Sequence, residues 1–207
     1  MLTKIKAAEA QIDTAILLFF ENRDHLSAYT LAAAAREITD KLCKKDKDRI
    51  YQEELQKHGD PNKVRLHFWD ELEMLVKPEH LKDAVKLVNK TKNFLKHADN
   101  DVVEIDDVDL KKLALVIVFA IRNFYLLQRT LTPAMSKFFC WFSSANPHLV
   151  SDDGADDFMG IVKMMRDTFV DLYDIDVLRI FHEALRQNQK YANKKVDTDY
   201  SGKLEGV

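Results

Sequence analysis

The chain has 207 residues, 46% of them hydrophobic, with five glycines, four prolines, a formal net charge of -3 and a pI near 6.2. That length and apolar content suffice for one buried core, and the scarcity of turn formers favours helix. The acidic balance excludes a globally basic nucleic-acid binder, while leaving room for a basic patch at one position in the chain.

From Ile5 to Phe20, apolar residues recur at three- and four-residue steps, which predicts a first helix ending near Asn22. Asp24 or Ser27 is placed to cap a second helix through Leu31, Ala34, Ala35, Ile38 and Leu42, and its alanine run lets a neighbouring helix approach closely. Residues 44–63 are densely charged and contain Gly59-Asp60-Pro61, so they read as a surface helix and a turn. A helix from about Asn62 to Val76 would turn Val64, Phe68, Leu72 and Leu75 inward, and Pro78 opens the next one.

Asp99 to Asp109 holds six carboxylates without a helical apolar pattern, so it reads as a loop whose Asp106 or Asp107 caps the helix that follows. In that helix the apolar run Leu113–Ile121 is broken by Arg122 and Asn123, far short of the roughly 18 to 20 residues a bilayer span needs. A central core helix is expected instead. Thr132-Pro133 starts an aromatic helix over Ala134–Ser144 that stops at Asn146-Pro147. Phe158, Ile161, Met165 and Phe169 mark another helix, continued or kinked near Asp174 into one bearing Leu178, Phe181 and Leu185. After Tyr191 the composition turns polar, and residues 193–207 are expected to be a disordered tail.

Cys43 and Cys140 fall inside helical patterns without CxxC or Cys/His spacing, which argues against a disulfide framework or a structural zinc. Residues 1–11 alternate charged and apolar side chains and lack the features of a signal peptide. A cytoplasmic location is therefore expected, with no membrane segment.

Side chains suited to phosphate chemistry concentrate in one stretch. On a helix turning about 100° per residue, Leu81, Ala84, Val88, Leu95 and Ala98 form an apolar sector, and Lys82, Lys86, Asn89, Lys90, Asn93, Lys96 and His97 form the opposite one. Asn89, Asn93 and His97 stack one turn apart, so one phosphate-sized ligand meets two of them together. Histidine as a residue type exchanges protons near neutral pH, which suits His97 to act as proton donor or acceptor, and the lysines suit an anionic backbone. A solvated lysine face is the plainer alternative.

The segment KNFLKH at 92–97 resembles the motif of the HEPN (higher eukaryotes and prokaryotes nucleotide-binding) superfamily, in which an arginine precedes a histidine by a few residues. The hairpin formed by AILLFF at 15–20 and LSAYTLAAAAREI at 26–38 is similar to the first two helices of that bundle. The resemblance implies an all-α, HEPN-like helical bundle over about residues 5–130, with added C-terminal helices over about 133–191 in one domain spanning 1–192. It further implies a homodimer in which paired motifs cleave RNA without metal. His97, Asn93 and Lys92 would then be the catalytic set, and Lys86, Asn89, Lys90 and Lys96 the phosphate-binding set.

The implied partners are RNA or a nucleotide and, for a defence or toxin module, a cognate antitoxin or other protein. Lys92 and Lys90 stand where the motif carries arginine, which keeps the charge without the bidentate fork. A non-catalytic dimerisation or protein-interaction module is accordingly the alternative reading.

Arg122 interrupts an apolar helix, either as a structural ion-pair partner or as an auxiliary guanidinium beside His97. No Glu-x-x-His pair, His-Glu-x-x-His helix or EF-hand loop occurs, so neither metal nor cofactor is expected. His25, His58, His67, His80, His148 and His182 show no ligand spacing, and the aromatic run Phe138–Phe142 reads as core or oligomer contact.

Overall fold

Thr3 starts the first helix, α1 (Lys4–Glu21), by accepting from the Lys6 amide at 3.3 Å. The computed structural model describes residues 2–61, 64, 109–146 and 171–187. Asn22 ends α1 in a left-handed conformation (φ 52°), and its amide donates to the Phe19 carbonyl at 3.1 Å. Two residues later Asp24 accepts from the Ser27 amide at 3.1 Å and starts α2 (His25–Lys45). The turn is too short for anything but an antiparallel hairpin. Ala28, Ala32, Ala35, Thr39 and Cys43 form the buried stripe of α2, and the small side chains let its backbone come close to its neighbours.

The charged stretch after α2 forms α3 (Lys47–His58), closed by Gly59 at φ 66°, where glycine carries no steric penalty. The next described helix, α4 (Leu110–Gln128), is capped by Asp109, whose carboxylate accepts from the Lys111 amide at 2.9 Å. The cap is therefore neither Asp106 nor Asp107. Several adjacent acids offer equivalent caps, and the start is set by where Leu110 and Leu113 reach the core. α4 buries residues around most of its circumference, from Leu113 and Ala114 to Ile121 and Phe124, as a central helix must.

Thr132 caps α5 (Pro133–Ala145) by accepting from the Met135 amide at 3.1 Å, with Pro133 in the first turn. Residues 171–174 form a turn, so no helix runs unbroken through Asp174, and residues 175–187 form the last described helix, α6. The described secondary structure is all helix, without a strand, and none of these helices is long and apolar enough to cross a membrane.

One apolar core joins α1, α2, α4, α5 and α6. Cys43 and Asn123 meet near the C-terminal ends of α2 and α4, as do Arg49 and Leu127 just beyond, so α4 runs in the same direction as α2 and against α1. At the other end Phe19, Phe20, Phe138 and Trp141 interlock with ring centroids 4.8–5.7 Å apart. The aromatic run is thus core at Phe138, Trp141 and Phe142, whereas Phe139 is 36% exposed. Val64 is buried with Cys43, Ile50 and Leu126 in a smaller cluster, as its inward position predicts. The remainder of the helix expected over 62–76, the one over 81–98, the acidic loop to 108, the helix bearing Phe158 and the tail lie outside the described residues.

Candidate functional site

Lys86, Asn89, Lys90, Lys92, Asn93, Lys96 and His97 also lie outside the described residues. Of the predicted site residues, Arg122 is the one whose surroundings are described. It sits on α4 beside the buried Asn123, half-buried. Its charge acts on Cys43 of α2, whose thiol donates to the Asn123 carbonyl at 3.6 Å. Burial pushes that thiol up to about 11, and the opposing pull of Arg122 does not reverse the shift. Cys43 is consequently a protonated, buried thiol rather than a nucleophile.

A second half-buried guanidinium, Arg36, lies two turns before Cys43 on the same side of α2. Burial draws it below its ordinary value, against the charges of Tyr29, Asp40 and Glu37. Arg36 on α2 and Arg122 on α4 are both engaged in interactions. Sequence reading singled out Arg122 and passed over Arg36. The available signal was an arginine directly after the Ala32–Ala35 run, of which Ala32, Ala33 and Ala35 are buried.

Two further polar clusters have definite geometry. Arg129, the left-handed C-cap of α4 (φ 57°), donates from Nε to Glu53 at 2.8 Å and from Nη1 to Glu54 at 2.7 Å. Arg49 donates to Glu53 at 2.8 Å and to Asp46 at 2.7 Å, and the two arginines hold Glu53 below its ordinary range. These charges are mutually compensated, as a tie between α3 and α4 requires. At the other cluster Thr132 donates to the Asp13 carboxylate at 2.6 Å, joining α1 to the start of α5. Burial pushes Asp13 up to about 6; the Thr132 hydrogen bond opposes the rise and Glu9 adds to it. A carboxyl that titrates there can hold or release a proton near neutrality.

Compared with protein-family models, curated proteins and solved structures, the chain gives no match. Among the described residues no group of three or more His, Cys, Asp or Glu side chains is placed to hold a metal ion. Within these residues the chemistry is that of compensated ion pairs, two separate half-buried guanidiniums and one carboxyl of raised affinity for protons.

Proposed function

We propose that the chain is a HEPN-like helical protein that binds RNA or a nucleotide through Lys86, Asn89, Lys90, Lys92, Asn93, Lys96 and His97. The observation that carries this reading is the stacking of Asn89, Asn93 and His97 one turn apart on a lysine-rich helical face in the sequence. The all-helical architecture and the antiparallel α1–α2 hairpin support it. In this reading His97 shuttles the proton, Asn93 orients the phosphate, and Lys92 or Lys90 steadies its charge. The protein acts as a homodimer in the cytoplasm, within a defence or toxin module that supplies a protein partner.

The second reading, a non-catalytic interaction module, is favoured by lysine standing at the motif's arginine position. Both are tested by fluorescence anisotropy with mixed-sequence single-stranded RNA across a salt series, alongside gel analysis of the RNA. Wild type is expected to bind less tightly as salt rises. Replacing Lys90, Lys92 and Lys96 together by Gln should weaken binding and flatten the logarithmic salt slope by about 2. His97→Ala should abolish cleavage while sparing binding. Absence of wild-type binding at low salt would remove the nucleic-acid reading, and binding without cleavage by either protein would leave a binder that is not an enzyme.

A further inference from the structure

α2 has a second face besides the one it buries. Thr30, Ala34, Ile38 and Leu42 follow at four-residue steps as one ridge about 18 Å long at 1.5 Å per residue. With Ala7 of α1 and Ala33 they floor a groove of about 620 Å³. Ile38 also packs against the main core, whereas Leu42 belongs to neither apolar cluster of the described residues and lines both this groove and the smaller hollow beside Leu127. The volume lies within the range of small-molecule sites, roughly 300 to 1,000 Å³.

The groove is polarised along its length. Because α1 and α2 are antiparallel, Lys4 at the start of α1 lines the same end as Lys41, Lys44 and Lys45 at the close of α2. Lys41 pairs with Glu37 at 3.0 Å and Lys44 with Asp40 at 2.8 Å, which leaves positive charge in excess there. The other end, from Tyr29 to Ala34, has no charged lining residue among those described. Lys44 and Lys45 also complement the negative end of the α2 dipole, but that accounts for neither Lys4 nor Lys41. A partner helix laid along the groove would meet lysines at one end only. A ligand with a single anionic head and a long apolar tail matches the whole pattern.

We propose that this groove binds a single-chain anionic amphiphile, a long-chain carboxylate. Its alkyl chain lies over Ala34, Ile38 and Leu42, and its head sits among Lys4, Lys41 and Lys45.

The test is isothermal titration calorimetry of the full chain with laurate below its micelle concentration, compared with dodecyltrimethylammonium as a cationic chain of the same length. Saturable binding of one laurate, at least about tenfold tighter than the cation, is expected. Lys4, Lys41, Lys44 and Lys45 replaced together by Gln should weaken laurate by about tenfold or more and erase the preference. Ala34→Trp, which fills the groove, should abolish binding, with circular dichroism and thermal midpoint checking its fold. The surface lysine variant keeps the test decisive if Ala34→Trp does not fold. No saturable laurate binding, equal affinity for the cation, or affinity unchanged in the lysine variant would overturn the proposal.

Discussion

Where α1, α5 and α6 meet, Phe19, Phe20, Phe138 and Trp141 interlock with Phe181 and Tyr173, and the main polar event is the Trp141 indole donating to the Leu172 carbonyl at 2.9 Å. Where α3 meets the end of α4, Asp46, Arg49, Glu53, Glu54 and Arg129 are tied by charge. The first region is held by removal of apolar surface from water, which charge screening by salt does not weaken and which weakens on cooling. The second is held by ion pairs that salt screens where they are exposed, and by Glu54, at 7% exposure, where they are not. The first belongs to the main core and the second borders the smaller cluster around Ile50, so the bundle can be loosened at either place by different solvent conditions.

The largest effect expected is at Trp141. Trp141→Ala should cost about 4 kcal/mol, from the cavity and the hydrogen bond lost to Leu172. Urea denaturation should give the same loss at low and high salt; a salt-dependent loss would show that the aromatic end is not governed by burial alone. Next comes Arg129→Ala, expected to cost about 2 kcal/mol because it removes the guanidinium paired with the buried Glu54 and leaves the left-handed backbone penalty in place. Here the loss should shrink as salt rises, since wild type itself weakens. Arg129→Gly, which keeps the backbone geometry without the guanidinium, should recover only a small part of it.

The smallest effect concerns Asp13. Its folded-state affinity for protons is raised, so the neutral form's stabilisation is full below the ordinary carboxyl range and is lost as pH rises through about 6. Above that pH the folded chain carries a carboxylate that burial disfavours. Asp13→Asn retains an acceptor for Thr132 and should be more stable than wild type by about 1 kcal/mol at pH 7.5, a figure reduced for partial exposure. The advantage should vanish near pH 4. Thermal melts of both proteins across pH 4–8 check the sign, and a constant difference across that range would assign the effect to packing.

Legibility in the sequence followed how local each cause is. The stripe Ile12, Ile16, Phe19 and Phe20, the Asp24 cap and the Thr132-Pro133 start depend on neighbours a few residues away, and all are in place. The α4 cap was misplaced at Asp106 or Asp107 because six acids precede the helix and only tertiary packing selects Asp109. Arg36 was passed over because the burial of a charged side chain is decided by helices distant in sequence. Arg122 stood out against the apolar residues around it, and its influence on Cys43 follows from the pairing of α2 with α4. The basic face at 86–97 rests on periodicity alone, being outside the described residues.

The Thr132 hydroxyl has a consequence for the order in which the chain assembles. It accepts from its own helix start and donates to a carboxylate 119 residues earlier in sequence. The cap itself is local, whereas the bond to Asp13 closes a long loop, so the first turn of α5 gains its tie to α1 only when the two helices have docked. In reverse, release of α1 breaks that bond and removes one constraint on the start of α5. The Met135 amide, which that hydroxyl caps, should then exchange hydrogen more readily.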